Sequence, residues 1–294
     1  MSVEENTLKT EIKMTNKLNQ SANNQNIAAL CKDLKLPALH QEYLNQLANP
    51  QVAGLPFSNR LELMLLAEVN NRNEKRRARL LKESAIDDQM PSLERITFEP
   101  SRGLNESFIK ELALFDWVRC ENPLNLIITG AAGTGKTWLA KALGKKAIEL
   151  DIRTYYIRMA QLTERLSFHH YHNEAAQFRN QINKKQLLII DDFAMTPMNE
   201  QIRDDFLNLV DDRQFASSLI LISQRPFIEW YEYIGDAYHA DSAVRPARRL
   251  CPGIRTAGPA VSFAACLTGC GTRATGFIGT RNKTIIGNIT GMSD

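Results

Sequence analysis

Residues 124–137 read LNLIITGAAGTGKT, and this stretch decides the fold. Its last eight residues match G-x-x-x-x-G-K-[ST], the phosphate-binding pattern called the P-loop. The motif follows an apolar run that suits a buried strand and precedes WLAKALGKKAIEL (138–150), which suits a helix. Strand, glycine-rich loop and helix in this order are the context that the motif requires. The stretch therefore predicts a phosphate site and not a merely structural turn.

The residue types of the loop suit a nucleoside triphosphate with Mg²⁺. Glycines let backbone amides approach phosphate oxygens that a side chain would obstruct. Lys136 supplies a cation for the β- and γ-phosphates, and Thr137 offers a hydroxyl ligand to Mg²⁺. The helix that begins near Lys136 points its positive dipole end at the same anion. We therefore expect ATP and Mg²⁺ as cofactors, with ATP held by Gly130, Ala131, Ala132, Gly133, Thr134, Gly135, Lys136 and Thr137.

Two further apolar runs end in polar residues that fit the same chemistry. LLIIDD (187–192) delivers Asp191 as a second Mg²⁺ ligand beside Thr137, and Asp192 as a general base for the attacking water. The run at 219–223, LILIS, ends at Ser223 and Gln224, where a polar side chain can contact the γ-phosphate or the water. A structural role fits these two residues equally well. The predicted catalytic set is Lys136, Asp192 and Gln224.

The spacing of the apolar runs predicts the fold class. LNLIIT, TYYIR, LLIID and LILIS, at about residues 124, 154, 187 and 219, each fit a buried strand, and the intervals between them are long enough for crossover helices. This pattern is typical of an α/β protein with a parallel sheet flanked by helices, the P-loop NTPase fold. We expect a disordered lead-in at 1–26, a small all-helical domain at 27–95, the P-loop core at 96–243 and an irregular tail at 244–294.

Helical periodicity supports the all-helical N-terminal domain. From Ile27 to about Leu47 apolar residues recur at helical spacing, and Pro37 opens a second helix. A longer helix follows Pro56, with Ser58 as its expected N-cap.

The composition changes abruptly after about Ala243. The last fifty residues contain 8 of the 15 glycines, 3 of the 5 cysteines and no acidic residue before Asp294. Their net charge is +6, whereas residues 1–244 carry −3, so net charge alone gives no evidence that the main body binds DNA. A flexible basic tail is one interpretation, and a segment translated out of frame is the other. We favour the second, because natural basic tails are usually rich in Lys and poor in Cys and Phe.

Location and partners follow from other features. No apolar run reaches the roughly 18 residues of a membrane span, so we expect a cytoplasmic protein with no membrane partner and with reduced thiols. The stretch RNEKRRARLLK (72–82) is a basic helix that suits DNA phosphates, although a solvated helix face explains it too. Its predicted DNA-binding residues are Arg72, Lys75, Arg76, Arg77, Arg79 and Lys82.

Two smaller groups of residues keep more than one interpretation. Phe115 and Trp117 suit either an aromatic wall for adenine or core packing. The histidines at 169, 170 and 172 suit a surface helix better than a metal site.

The chain resembles the IstB type of AAA+ ATPase, the ATP-binding helpers of bacterial insertion-sequence transposition, which are akin to the DnaC helicase loaders. The resemblance covers about Leu30 to Ala243. It rests on DLKLPALHQEYL, FSNRLELMLLAEVNNRNEKRRARLLKES, FDWVRCENPLNLIITGAAGTGKTWLAKALG, LLIIDDFAMTP and ISQRPFIEWYEYIGDAYHADS. The basic helix and QRPFIEW (224–230) are its more specific parts.

The resemblance implies ATP binding and hydrolysis, ATP-dependent assembly of several copies on DNA, and a transposase of the same element as partner. A helicase loader is the alternative within this class. Family members continue with an Asp-Arg-Leu signature whose arginine completes a neighbour's ATP site, but this chain continues with VRPARRLCPGIRTAGP. Arg245 lies nearest and is out of register, so no arginine finger is assigned. A nucleotide- or DNA-binding remnant with impaired turnover is therefore a further alternative.

Overall fold

The computed structural model describes residues 21–87, 89, 92–96, 106–195, 197–213, 216–225, 229–234, 262–265 and 285–287. The chain divides into two compact units, Met1–Arg76 and Arg77–Asp294. The helices are residues 21–33 (α1), Pro37–Ala48 (α2), Pro50–Ala53 (α3), Phe57–Ser84 (α4), Glu106–Leu112 (α5), Asp116–Arg119 (α6), Lys136–Glu149 (α7), Met159–Tyr171 (α8), Ala175–Asn183 (α9), Glu200–Arg213 (α10) and Trp230–Ile234 (α11), with a 3₁₀ turn at Leu93–Arg95.

The boundary between the units differs from the expected one at 95/96, because it lies inside α4, after Arg76. The end of α4 belongs to the second unit, since Leu80 is buried in the hydrophobic core on one face of the sheet. Ile86 and Leu93, which follow the helix, are buried in the same core. The expected lead-in at 1–26 also differs, because residues 21–26 are already helical. Its remaining residues lie outside the described chain.

Prolines and an asparagine set the helix starts of the first unit. Pro37 and Pro50 occupy first-turn positions of α2 and α3, where a missing N–H costs nothing. Asn49 caps α3 by accepting a hydrogen bond from the Gln51 amide at 3.1 Å. The expectation that Pro37 opens a helix is confirmed. The expectation for Ser58 is wrong, because α4 begins one residue earlier, at Phe57.

Glu68 on α4 is the polar centre of this unit, with only 5% of its surface exposed. One carboxylate oxygen accepts hydrogen bonds from the Ala38 and Leu39 amides at 3.0 and 3.3 Å, and the other accepts from Arg72 at 2.9 Å. Burial raises the pKa of Glu68, but the hydrogen bonds from Arg72 and from the two amides outweigh it and leave the pKa below its ordinary value. Glu68 therefore satisfies the otherwise unpaired amides at the start of α2.

Replacing Glu68 with Ala should loosen α2. We expect the free energy of unfolding to fall by about 2 kcal/mol, because two partly buried amides and Arg72 lose a charged acceptor. Since the pKa of Glu68 is lowered on folding, its contribution is complete above pH 4.5 and is lost as the pH falls through the lower folded value. Hydrogen exchange of the α2 amides measures the effect. Glu62→Ala, an exposed change on the same helix, should leave exchange unchanged, and equal protection in both variants would contradict the role of Glu68.

The second unit is built on one sheet with strand order β2-β3-β4-β1-β5-β6. The strands are Leu126–Thr129 (β1), Thr154–Arg158 (β2), Leu187–Phe193 (β3), Ser218–Ser223 (β4), Ser262–Ala265 (β5) and Ile285–Gly287 (β6). The first four are parallel to one another, as the sequence predicts. The last two pair antiparallel, β5 with β1 and β6 with β5. These two short segments depart from the expected irregular tail.

Apolar residues cover both faces of the sheet, as a parallel sheet requires. On one face, Leu139 and Leu143 of α7 pack against Ile128 and Ile189. On the other face, helices α8, α9 and α10 pack against a second set of buried strand residues. Gly144 lets α7 approach the sheet closely, because an added Cβ would lie only 2.8 Å from the Ile189 side chain. Among the helices of the described ranges, none is both long and apolar enough to cross a membrane.

The strand order places the predicted site residues together. Strands β3, β4 and β1 are successive neighbours, and their carboxyl ends share one edge of the sheet. The loop after β1, the aspartates at the end of β3 and the polar residues at the end of β4 therefore meet there. Crevices at this edge are where open α/β sheets bind ligands.

Candidate functional site

The loop between β1 and α7 turns on glycines in the left-handed region. Gly133 and Gly135 have φ angles of 78° and 87°, and no other heavy atom lies within 4 Å of where a Cβ would stand. An L-residue there would strain the backbone and fill the space over the loop. Gly135 is also the N-cap residue of α7, so the first amides of the helix lack helical acceptors and face the loop.

Lys136 reaches back into this loop. Its ammonium donates to the carbonyl oxygens of Gly130 and Ala131 at 2.8 and 2.6 Å, and only 6% of the residue is exposed. Burial lowers the pKa of Lys136, and the charges of Asp191 and Asp192 oppose that shift. The cation thus stands between the loop and the two carboxylates.

Asp191 is fixed by hydrogen bonds to both carboxylate oxygens. Its Oδ2 accepts from the Tyr156 hydroxyl at 2.8 Å, and its Oδ1 accepts from the Asp192 amide at the same distance. Asp191 is 1% exposed, yet it lines the same cavity as the loop. Each oxygen keeps further lone pairs for another partner, since an ionised carboxylate accepts about four hydrogen bonds.

Asp192 lies at an irregularity of β3. Its φ of 56° is left-handed, and the register between β3 and β4 shifts between Ile190 and Phe193. Backbone of this kind costs of order 1–3 kcal/mol and is found mostly at functional sites. The irregularity lets the adjacent Asp191 and Asp192 both line the cavity.

The surroundings of the aspartates include a cation on β2. Arg158 pairs with Asp191 in the β2–β3 register. The Tyr156 hydroxyl, Asp192 and Asp191 together raise the pKa of Arg158, the hydroxyl having the largest effect. Burial and the hydrogen bond to Asp191 raise the pKa of Tyr156 well above 10, so its hydroxyl stays a donor.

Ser223 and Gln224 have different roles. The Ser223 hydroxyl donates to the Phe193 carbonyl at 2.8 Å and accepts from the Arg225 amide at 3.1 Å, so it joins the ends of β3 and β4. Gln224 is exposed, and both residues line the cavity. Of the two alternatives open in the sequence, the structural one fits Ser223, and Gln224 stays available to a ligand.

The residues converge on a cavity of about 400 Å³. From the predicted set, its lining includes Ala132, Gly133, Gly135, Lys136, Thr137, Asp191, Asp192 and Gln224. Gly130, Ala131 and Thr134 complete the loop and are held by Lys136 and by a Thr134–Ala131 hydrogen bond of 2.9 Å.

Sequence reasoning missed three residues near this site. Trp138 and Lys141 on α7 line the cavity, and Lys141 lies one helical turn after Thr137, a spacing that would have indicated the same face. Tyr156 stands in the middle of a predicted strand. Only its distance to Asp191, which no sequence pattern gives, singles it out.

Other candidate residues lie elsewhere. Phe115 is fully buried in the core, and the Trp117 indole donates to the Leu112 carbonyl at 3.0 Å, so core packing explains both. Within the described residues no group of three or more His, Cys, Asp and Glu side chains could hold a metal ion. His169 and His170 instead contact carboxylates of Glu174 and Asp205 at 3.3 and 3.1 Å. Arg245 lies outside the described chain.

All six residues of the predicted DNA-binding set are exposed on α4. At 100° per residue, five of them fall within about 120° of the helix circumference, and Arg77 points to the other side. Arg72 and Arg79 each pair with a glutamate on α4. Lys75 and Lys82 have no acidic partner within 4 Å among the residues that the structure describes. The five on one face are Arg72, Lys75, Arg76, Arg79 and Lys82.

The site suits a nucleotide with Mg²⁺. The loop leaves space where side chains would stand, a cation and helix amides are available to phosphate, and the hydroxyl of Thr137 and the carboxylate of Asp191 are the oxygen ligands that Mg²⁺ prefers. Fold and loop together define the class as a P-loop NTPase fold.

Comparison with known proteins identifies the family. The family described as "IstB-like ATP binding protein" matches residues 29–246, and the chain belongs to it. The protein named "Insertion sequence IS1162 putative ATP-binding protein" from Pseudomonas fluorescens is 35% identical over 193 residues, which cover 66% of this chain and 83% of that protein. A "Putative insertion sequence ATP-binding protein y4pL" from Sinorhizobium fredii is 31% identical, over 70% and 83%. Aquifex aeolicus DnaA bound to AMPPCP matches 57% of this chain and 48% of its own, at 22% identity and a TM-score of 0.47.

Ser223→Ala should weaken the fold without weakening nucleotide binding. The change leaves a buried carbonyl and an amide without partners, so we expect the free energy of unfolding to fall by about 2 kcal/mol. Nucleotide affinity should stay within about threefold. Ser167→Ala removes a hydroxyl that bonds the Thr163 carbonyl on the exposed side of α8 and should be nearly neutral. Urea denaturation and nucleotide titration check both values. If Ser223→Ala loses nucleotide affinity but keeps full stability, the alternative in which Ser223 contacts the γ-phosphate or the water is restored.

Proposed function

We propose that this protein binds ATP with Mg²⁺ and hydrolyses it. The observation that carries the proposal is the convergence of Lys136, Thr137, Asp191, Asp192 and Gln224, from three separate segments, on one cavity. The family description supports ATP as the nucleotide.

Each residue has a role in this proposal. The amides of the loop and of the first turn of α7 bind phosphate oxygens, and Lys136 exchanges its bonds with the loop carbonyls for bonds with the β- and γ-phosphates. Thr137 and Asp191 hold Mg²⁺, which when bound neutralises charge on the triphosphate. Asp192 orients the attacking water and accepts its proton, and Gln224 contacts the water or the γ-phosphate.

We also propose that α4 contacts the phosphates of DNA. Lys75 and Lys82 carry this part, because both are exposed on the same face and, among the described residues, no carboxylate neutralises them. Arg76 and the glutamate-paired Arg72 and Arg79 extend the positive face. Contacts of this kind tolerate any sequence and weaken steeply with salt.

The biological role that we propose is help to a transposase on DNA, with several copies assembled there. The relatives' names place them in insertion sequences, and this supports transposition over helicase loading. Co-sedimentation of the ATP-bound protein with the element's transposase, compared with a replicative helicase, tests the choice. Binding to the helicase alone would reverse it.

Lys136→Ala should abolish hydrolysis. We expect turnover to fall at least about 100-fold and ATP affinity to fall strongly, because the Lys136 ammonium lies at the loop carbonyls, where the phosphates are proposed to bind. ATPase assays with and without DNA and a titration with labelled ATP measure the two effects. Lys184→Ala, an exposed change, is the control. ATP binding by wild type without any turnover would instead favour an impaired remnant, and equal turnover in the variant would refute the site.

Lys75→Ala combined with Lys82→Ala should reduce DNA affinity and its salt dependence. Because the variant neutralises two fewer phosphates, the slope of log K against log salt should become shallower by about 2. Arg77→Ala combined with Lys184→Ala makes the same charge change at an exposed residue on the other side of α4 and at an exposed residue outside that helix, and should leave the slope unchanged. Binding to a duplex of arbitrary sequence at several salt concentrations measures both. Equal slopes in the two double variants would exclude this helix face.

A further inference from the structure

Tyr156 links the second strand to the carboxylate at the end of the third. In the parallel register of β2 and β3, Tyr156 pairs with Ile189 and Arg158 pairs with Asp191. Side chains two residues apart on a strand share a face, so Tyr156 and Asp191 project to the side of the sheet that α7 covers. Asp191 lies two residues beyond Ile189, the residue that pairs with Tyr156. The Tyr156 hydroxyl donates to Asp191 Oδ2 at 2.8 Å, and the tyrosine is 6% exposed.

The two hydrogen bonds to Asp191 have different consequences. The Asp192 amide is backbone and holds Oδ1 whatever side chains surround it. The terminal torsion of an aspartate is broad, so one bond alone leaves the carboxylate plane free to turn. Tyr156 supplies the second point that fixes the plane. Within the described part of the chain, no other side chain forms a hydrogen bond with Asp191.

The tyrosine ring is itself held by the P-loop helix. The ammonium of Lys141 lies 4.6 Å from the centre of the ring, on the side of α7. Lys141 follows Thr137 by one helical turn. The helix that carries the predicted hydroxyl ligand, Thr137, therefore also contacts the ring of Tyr156 through Lys141. The two halves of the metal site are thereby tied to one another through Tyr156.

We infer that Tyr156 is a positioning residue that sets the orientation in which Asp191 meets the divalent cation. The inference rests on the proposed function. Tyr156 contacts Asp191 and does not line the cavity, which distinguishes it from the residues that contact the nucleotide.

Tyr156→Phe tests the inference, because it keeps the buried ring under Lys141 and removes only the hydroxyl. Mn²⁺ is the probe, and its affinity for the protein–ADP complex is read from the paramagnetic resonance signal of free Mn²⁺. We expect that affinity to fall about tenfold, the lower end of the effect of losing a partner of a metal ligand. ADP affinity without metal should stay within twofold, and kcat should fall about tenfold with little change in the KM for ATP.

Tyr155→Phe is the matched control. It removes a hydroxyl from the neighbouring residue of the same strand, where the hydroxyl accepts from Arg165 at 2.5 Å instead of contacting Asp191. It should leave the Mn²⁺ affinity unchanged. In the Asp191→Asn background, Tyr156→Phe should cause no further loss of Mn²⁺ affinity, since the inference places the effect of the hydroxyl on the Asp191 carboxylate.

The outcomes separate the two proposals. If wild type and Tyr156→Phe hold Mn²⁺ equally, the inference fails while ATP binding stands. If wild type binds no ADP, or gains nothing from Mn²⁺, the proposed function fails. Should Tyr156→Phe not fold, Lys141→Met replaces it, with an expected loss of Mn²⁺ affinity of about threefold from freeing the ring. An unchanged affinity in that variant would also overturn the inference.

Discussion

The ammonium of Lys136 is the charge on which the site depends. A buried cation must be compensated, and here two loop carbonyls accept hydrogen bonds from it while two carboxylates lie nearby. The carbonyls can approach it because Gly133 and Gly135 turn the loop through left-handed backbone. The loop is thus formed around its own lysine. In the proposed function, anionic oxygens of the triphosphate replace these neutral carbonyls as acceptors of the hydrogen bonds from Lys136. The stronger, charge-assisted bonds favour that exchange.

The proposed metal side of the site follows the opposite principle, because its carboxylate is already held by two hydrogen bonds. Asp191 is bonded at both oxygens and buried, and the strained backbone of Asp192 is held by the paired strands on each side. Ser223, which also lines the cavity, adds a further hydrogen bond between β3 and β4. The two aspartates are held in place, whereas Lys136 can exchange its hydrogen-bond acceptors. We therefore expect the structural change on nucleotide binding to be concentrated in the loop and in Lys136. Preorganised dipoles and charges are the usual way in which such sites stabilise developing charge.

Local patterns in the sequence predicted the four parallel strands and the residues of the P-loop, because each of those depends on a contiguous stretch such as 124–137. Asp191, Asp192 and Gln224 followed from where strands end. Tyr156 and Lys141 could not be predicted in the same way, since their roles arise from register and from the packing of α7 on the sheet. The unit boundary was misplaced for a related reason. Leu80 continues the helical pattern of α4 without a break, and only its burial under the sheet assigns it to the second unit.

The two short strands near the end of the chain, β5 and β6, do not decide between the two interpretations of the tail. The family match ends at residue 246, close to the point where composition changes. Beyond it, β5 pairs antiparallel with β1 and β6 pairs with β5. An exposed sheet edge offers unpaired backbone groups to any extended segment, and pairing of main chain to main chain requires no particular side chains. The two strands are therefore compatible with a segment translated out of frame, and that interpretation of the tail stays a prediction. Because the family's arginine signature is also missing there, an altered tail would affect turnover more than nucleotide binding, which depends on a loop formed entirely within the matched residues.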